Sequence, residues 1–155
     1  MDIESVVRRA QQHLKAQGID GWLLYDYRGM NPIFWDTVGH IRNVTRPCWL
    51  WIPSQGKSRL LVSYVDQGRF AHLGLATTLF VSRRDMTRRL EEMLRGARRI
   101  AMEYSPLGEL PRVSRVDAGT LQLVEGLGVE VVSSADTLQF AAQRWSEADL
   151  TSHMA

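Results

Sequence analysis

Apolar and polar residues follow one another along the chain in short blocks that predict helices and strands in turn. A first helix is predicted by apolar residues at helical spacing: Ile3, Val7, Ala10 and Leu14. Asp2 can cap the start of this helix, and Gly18 can end it in a left-handed conformation. Short apolar runs predict six strands, at residues 22–25, 48–52, 59–65, 77–81, 99–103 and 129–132.

Further helices are predicted between and after the later strands. Asp85 can cap a helix that ends near Gly96. Ser114 and Asp117 form a Ser-x-x-Asp capping signal for the next helix. Asp136 is expected to begin a short helix after the sixth strand.

The remaining segments are expected to connect these elements. Residues 26–47 are predicted to form a long irregular loop, residues 53–57 a hairpin turn and residues 66–73 a short helix. The alternation of strands and helices predicts a single α/β domain. Its sheet would be mixed, mostly six-stranded and flanked by helices, with one antiparallel hairpin. Because Ser146 and Asp149 repeat the capping signal just before the chain ends, we expect the domain to be part of a longer protein.

Composition places the chain among globular proteins, since 45% of its 155 residues are hydrophobic and 23% are charged. No apolar run approaches the roughly 20 residues of a membrane span. The start lacks the basic-then-apolar layout of a secretion signal, so we expect a cytoplasmic protein without membrane contact. The single cysteine, Cys48, lies among Trp49, Leu50 and Trp51, which predicts a buried, unreactive thiol.

Positive charge is concentrated around the helix near Asp85. Seven arginines lie there: Arg83, Arg84, Arg88, Arg89, Arg95, Arg98 and Arg99. Such a cluster could bind the phosphates of a nucleic acid, but it has no interleaved aromatic residues for base stacking. The favoured interpretation is a solvated helix face, partly neutralised by Asp85, Glu91 and Glu92.

The sequence contains no motif that would predict a catalytic site or a metal site within this chain. Its four histidines are His13, His40, His72 and His153. None has a His, Cys or paired-carboxylate partner at metal-ligand spacing. Glycine-rich phosphate motifs and the G-x-S-x-G nucleophile elbow are also absent. We interpret Asp26 and Asp36 as solvated loop carboxylates, and we predict neither catalytic residues nor metal ligands in this chain.

Residues 26–47 are the strongest candidate for a binding surface. This segment contains Tyr27, Arg28, Phe34, Trp35, His40, Arg42 and Arg46. Aromatic and Arg side chains are enriched at contact surfaces, and loops of this length are uncommon unless they bind something. Composition alone leaves open whether these side chains bind a ligand or pack against the core.

Four segments, taken in order, carry a family resemblance. They are residues 18–24 (Gly-Ile-Asp-Gly-Trp-Leu-Leu), 31–35 (Asn-Pro-Ile-Phe-Trp), 45–52 (Thr-Arg-Pro before an apolar strand) and 138–155. Together they resemble the amino-terminal domain of the creatinase, prolidase and Xaa-Pro aminopeptidase family over essentially the whole chain. Residues 36–39 depart from the family's usual Thr-Gly continuation. Residues 143–146 read Gln-Arg-Trp-Ser, where the family has Arg-x-x-Lys.

The resemblance implies an architecture. Residues 1–143 would form a creatinase amino-terminal-like domain, related to the ribonuclease H fold. Residues 144–155 would begin the linker helix to an absent catalytic domain. That second domain would hold two divalent metal ions, Mn, Co or Zn, and the whole protein would be a homodimer. In creatinase-like members the Arg before the second strand reaches the substrate carboxylate, which implies a substrate-binding role for Arg46. Trp35 and His40 would line the same mouth.

The leading hypothesis is an accessory domain of a metal-dependent Xaa-Pro peptidase, either an aminopeptidase or a dipeptidase. It would contribute dimerisation and substrate gating, without a catalytic metal site of its own. Its partners would be its own carboxy-terminal catalytic domain, a second copy and a peptide substrate. The alternative is a non-catalytic protein-binding module derived from the same family. The substrate stays open among dipeptides, Pro-containing peptides and small amidino compounds.

Overall fold

A mixed six-stranded sheet forms the centre of the computed structural model, which describes residues 2–143. The strands are β1 (Gly21–Asp26), β2 (Cys48–Pro53), β3 (Arg59–Ser63), β4 (Ala76–Phe80), β5 (Arg99–Met102) and β6 (Glu130–Ser133). The helices are α1 (Ile3–Gln17), α2 (Pro32–Val38), α3 (Arg83–Met93), α4 (Ala118–Glu125) and α5 (Ala135–Leu138), the last of which continues as a π-helical segment, Gln139–Gln143. The predicted α/β class is therefore confirmed.

The strand order across the sheet is β4-β3-β2-β1-β5-β6. Strand β2 runs antiparallel to both β1 and β3, whereas the β3–β4, β1–β5 and β5–β6 pairs are parallel. The sheet thus has two antiparallel pairings where one hairpin was predicted. The second arises because the long connection after β1 returns β2 alongside it.

Helices cover both faces of the sheet. On one face, α1, α2 and α5 bury apolar side chains such as Leu14, Phe34 and Leu138 against the sheet. On the other face, α3 and α4 pack through residues that include Leu90 and Val124. Strand residues alternate between the two cores because successive side chains in a strand point to opposite faces.

Helix α1 begins and ends as predicted. The Asp2 carboxylate accepts the Ser5 N–H at 2.8 Å. Gly18 has a φ of 67°, and the Ile19 N–H donates to the Leu14 carbonyl at 2.9 Å. This is the left-handed ending that favours glycine, because a Cβ is strained at positive φ.

Helix α2 corrects the prediction of a long irregular loop. The Asn31 side chain accepts the Ile33 N–H at 3.1 Å, and Pro32 occupies the first turn. An Asn cap followed by Pro is a strong helix-start signal. The helix has only seven residues, which is too short for a clear apolar period.

Three predicted helix starts are also corrected. The cap of α3 is Ser82 and not Asp85, which lies in the first turn. The cap of α4 is Asp117 alone, because Ser114 ends a preceding 3-10 turn. Asp136 lies inside the first turn of α5. In each case a neighbouring short polar residue takes the capping position.

The segment after β3 is also less regular than predicted. Strand β3 ends at Ser63, and residues 66–73 do not form one helix. Two 3-10 turns, Tyr64–Asp66 and Ala71–Leu73, take their place. Gly68, at a φ of 88°, lies between the two turns and interrupts the helical conformation.

The arginine-rich face of α3 is partly neutralised. Arg88 pairs with Asp85 at 2.8 Å, and Arg89 lies 3.4 Å from the same carboxylate, as expected of such a face.

No helix among residues 2–143 is long and apolar enough to cross a membrane. The predicted linker at residues 144–155 lies outside the described residues.

Candidate functional site

The connection after β1 is held by a buried aspartate. The Asp26 carboxylate is 1% exposed and accepts the N–H groups of Gly29 and Asn31 at 2.8 and 2.7 Å. This corrects the interpretation of Asp26 as a solvated loop carboxylate. Its two backbone bonds fix the tight turn that delivers the chain to the Asn31 cap of α2.

A second buried carboxylate joins four elements in what we call the Glu103 junction. Glu103 follows β5 and is fully buried. Its carboxylate accepts hydrogen bonds from Trp22 Nε1, Asn31 Nδ2 and Ser134 Oγ, each at 2.8 Å. These donors belong to β1, to the cap of α2 and to the residue after β6. The junction therefore ties the base of the 26–47 segment to the centre of the sheet.

Burial and hydrogen bonds act in opposite directions on the Glu103 carboxyl group. Burial raises the pKa of Glu103 above its usual value, because desolvation penalises the charged form. The three donors act in the opposite direction and offset part of this effect. No salt bridge to Glu103 occurs among the described residues, so these donors carry the compensation.

Next to this junction lies an open cavity of about 600 Å³, which we call the loop pocket. It is lined by Arg28, Gly29, Pro32, Trp35, Asp36, His40, Ile41, Arg42, Asn43 and Val44. Its volume lies in the range of small-molecule sites, which is about 300–1,000 Å³. Two arginines against one aspartate make its rim electropositive, which suits an anionic group such as a carboxylate.

Trp35 and His40 are brought together in this pocket. Their rings lie 6.4 Å apart, edge to face, and Trp35 also stacks on Phe70 at 6.3 Å. The Trp35 indole is half-buried, and its Nε1 has no hydrogen-bond partner in the structure. One wall of the pocket is therefore an aromatic surface, and the Nε1 atom itself is buried and is not accessible from the pocket.

Arg46 lies outside the lining of the loop pocket. It is exposed just before β2, and its guanidinium donates to Thr45 Oγ1 at 3.2 Å. Burial raises the pKa of Asp66, and the Arg46 backbone amide partly offsets this effect. The Arg46 backbone is thus tied to the buried Asp66, whereas its side chain has no carboxylate partner among the described residues.

The described residues contain no group of three or more His, Cys, Asp or Glu side chains that could hold a metal ion. The donor set for the two divalent ions implied by the resemblance is therefore not found in residues 2–143. Cys48 is buried as predicted, and burial raises the pKa of its thiol well above the usual value. A buried thiol of raised pKa is a poor nucleophile.

Sequence reasoning missed Glu103 as part of this region. Its only signal is a single acidic residue at the end of the apolar run 100–102. Its partners Trp22 and Asn31 are 81 and 72 positions away, so their contact could not be read from spacing. Arg28 and Arg42 were recognised only as members of an Arg-rich and aromatic segment.

Comparisons by sequence find nothing: no family model matches the chain, and neither does any curated protein. Comparison by structure does find proteins of similar fold. The chain is similar to the creatinase/prolidase N-terminal domain of an X-Pro dipeptidase from Streptococcus pyogenes, with 12% identity and a TM-score of 0.66. That similarity covers 86% of this chain and 95% of the solved domain.

Two longer proteins contain the same fold as one part of their chains. The prolidase from Pyrococcus horikoshii is 15% identical, with a TM-score of 0.66 over 94% of this chain. The prolidase from Thermococcus sibiricus is 10% identical, with a TM-score of 0.71 over 99% of this chain. The chain spans 37% and 40% of their lengths, respectively. At such identities the likeness is one of fold, and the fold is that of the creatinase/prolidase N-terminal domain.

Proposed function

We propose that this chain is the accessory amino-terminal domain of a metal-dependent Xaa-Pro peptidase of the creatinase/prolidase family. The observation that carries the proposal is the fold. It matches nearly the whole of an isolated N-terminal domain from an X-Pro dipeptidase and about two-fifths of whole prolidases. Shared fold alone does not specify activity, so the proposal also depends on the chemistry of the loop pocket.

In this proposal the domain gates and recognises the substrate. The loop pocket offers an aromatic wall at Trp35, an exposed imidazole at His40 and the cations Arg28 and Arg42. Arg46, exposed just before β2, adds a guanidinium that can bind a peptide carboxylate through two parallel hydrogen bonds. The junction beneath these groups would hold the pocket wall in place when a substrate binds.

The hydrolysis itself is assigned to a second domain of the parent protein. Residues 144–155 would lead into that domain, which would hold the divalent ions. Dimerisation and coverage of the catalytic site would be the tasks of residues 1–143. By covering the catalytic site, residues 1–143 would exclude water from it. Exclusion of water strengthens the electrostatic interactions made at a reacting bond.

The test is an assay of the full-length protein that contains this chain. With Mn, Co or Zn present, we expect hydrolysis of Xaa-Pro dipeptides or tripeptides. Arg46→Ala should raise KM by roughly 10- to 100-fold with little change in kcat, as for loss of a charge-assisted hydrogen bond made in both ground and transition states. Arg112→Ala is the matched control, because Arg112 is an exposed arginine outside both the pocket and the junction.

Two results would contradict the proposal. If no metal supports hydrolysis of any Xaa-Pro substrate, the non-catalytic binding module becomes the better hypothesis, and the loop pocket becomes the surface on which to seek its partner. If the enzyme is active but Arg46→Ala behaves like Arg112→Ala, then Arg46 does not contact the substrate and only its assigned role is wrong.

A further inference from the structure

We propose that β4 is the surface through which two copies of this chain pair, edge to edge and antiparallel, so that two six-stranded sheets become one. This inference rests on the dimerisation part of the proposed function and names the surface that carries it. It is argued from the unprotected edge of the sheet, from exposed apolar side chains at one end of that edge and from a cavity at the other end.

Strand β4 is an outermost strand, and it lacks the usual protection of a sheet edge. Proteins block such edges with charged residues, proline or bulges, because the free N–H and C=O groups are a template for another strand. Residues 75–82 read Leu-Ala-Thr-Thr-Leu-Phe-Val-Ser and contain no charge and no proline. Ala76–Phe80 pairs with β3 in unbroken register, so there is no bulge.

The opposite edge of the sheet is different. Strand β6 has four residues and begins with Glu130, whose carboxylate lies 3.9 Å from the Arg99 guanidinium. A short strand with a charged residue is a poor template for pairing. Of the two edges, therefore, only β4 has the length and composition of a pairing surface.

Apolar side chains are exposed at the carboxyl end of β4. Val81 is 69% exposed, and Tyr64 and Val65 are 54% and 48% exposed. Since Ser63 pairs with Phe80, the residues that follow each of them lie at the same end of the two strands. A group of exposed large apolar side chains in one place is typical of a contact surface.

At the amino end of β4 is a mostly apolar cavity of about 430 Å³, whose lining also includes Glu4, Arg8 and Lys57. Ile3 and Val7 of α1 form one side of it, and Leu75 and Ala76 form the other. The cavity and the exposed Val81 therefore lie at opposite ends of the same strand. This arrangement is self-complementary under a two-fold rotation, as a symmetric dimer requires.

The register follows from this arrangement. If the two-fold axis passes at Thr78, Val81 of one copy lies directly opposite Leu75 of the other. Directly opposed residues in an antiparallel pair project on the same face of the sheet. Leu75 packs on the core covered by α1, so Val81 of the second copy would meet the cavity beside Ile3 and Val7. The same contact occurs twice by symmetry.

Charge also favours the antiparallel arrangement. Arg83 and Arg84 follow β4 directly and are exposed. A parallel pairing would place the two Arg pairs side by side, where like charges repel. Antiparallel pairing puts them at opposite ends of the interface.

The test is sedimentation equilibrium of the 155-residue chain, for which an isolated X-Pro dipeptidase domain of similar extent is a precedent. Wild type is expected to dimerise. Thr78→Lys should raise the dimer dissociation constant at least about tenfold, because the two lysines would oppose each other at the axis. Gln122→Lys adds the same charge at an exposed position on α4 and should leave the constant unchanged.

A charge-swap experiment makes the test specific to the strand. Thr78→Glu alone should also dimerise weakly, whereas an equimolar mixture of Thr78→Lys and Thr78→Glu should recover the dimer as a heterodimer. In hydrogen exchange, those amides of residues 76–80 that do not already bond to β3 should become more protected as wild type is concentrated. Circular dichroism of each variant checks that the monomer is folded, which is expected because Thr78 is exposed.

A monomeric wild-type chain would overturn the inference, and so would a dimer that Thr78→Lys leaves unchanged. These results are separate from the peptidase assay. An active parent enzyme with a monomeric domain would refute only the β4 pairing. A dimer that depends on Thr78, found in a parent without peptidase activity, would refute the proposed function and leave the pairing intact.

Discussion

The Glu103 junction and the loop pocket lie next to each other but differ in how far the protein itself satisfies their polar groups. In the junction a fully buried carboxylate accepts three hydrogen bonds, all at 2.8 Å. In the loop pocket Arg28, Arg42 and His40 are exposed. The first region has its polar groups satisfied by the protein. The second leaves polar groups free for something else to contact, which is the difference expected between a support and a recognition surface.

Asn31 connects the two regions. Its side-chain oxygen caps α2, which carries Trp35, and its side-chain nitrogen donates to Glu103 and to the Tyr25 carbonyl. A change in the junction should therefore affect stability and disturb the pocket wall indirectly. A change at the pocket rim should leave the junction intact.

The largest expected effect is that of Glu103→Ala. Removal of the carboxylate leaves three buried donors without an acceptor, and we expect a loss of about 3–5 kcal/mol in the free energy of unfolding, measured by urea denaturation. The matched control is Glu103→Gln, which keeps one acceptor oxygen but faces the Asn31 amide with a second donor; about 1–2 kcal/mol is expected. Equal stability of wild type and Glu103→Ala would show that the junction does not support the fold.

A smaller effect should appear in the pH dependence of stability. Because the folded-state pKa of Glu103 is raised above its unfolded value near 4.5, its contribution is fully present below that pH. The contribution is lost as pH rises through the folded pKa. The stability advantage of wild type over Glu103→Gln should therefore shrink as pH rises above 4.5, by about 1.4 kcal/mol for each unit by which folding raises the pKa. Urea titrations across this range test the sign, and an advantage that grows with pH would contradict it.

The smallest effect is expected at the pocket rim. His40→Ala removes an exposed ring whose centroid lies 6.4 Å from that of Trp35, so the free energy of unfolding should change by no more than about 0.5 kcal/mol. The same urea experiment measures it. A loss comparable to that of Glu103→Gln would mean that the rim is part of the folded core, and the contrast between the two regions would fail.

Much of the fold could be predicted from the chain. The start and end of α1 follow from Asp2 and Gly18, because capping chemistry is local. The buried strands were evident as apolar runs, and their ends were displaced by only a few residues. The errors occur where local signals compete: Ser82 and not Asp85 caps α3, and α2 was hidden in a segment rich in Gly, Asn and Pro.

The candidate site could be predicted only in part. The aromatic and Arg-rich segment 26–47 was identified from its composition, and Trp35 and His40 do share a pocket. Arg46 was placed in the same mouth by resemblance, yet its side chain lies outside the lining of that pocket. Which arginines line the pocket depends on the path of the chain between α2 and β2, and this path has no periodic pattern to read.

The sequence by itself determined the local elements: which residues cap helices, which runs become strands and which segment is rich in contact-forming side chains. These follow from interactions within a few positions of one another. Only the tertiary structure decided that Glu103 meets Trp22, Asn31 and Ser134, that β4 forms an exposed edge, and that Arg28 and Arg42 share a pocket with Trp35. The physical reason is that burial and pairing depend on which distant segments the sheet brings together.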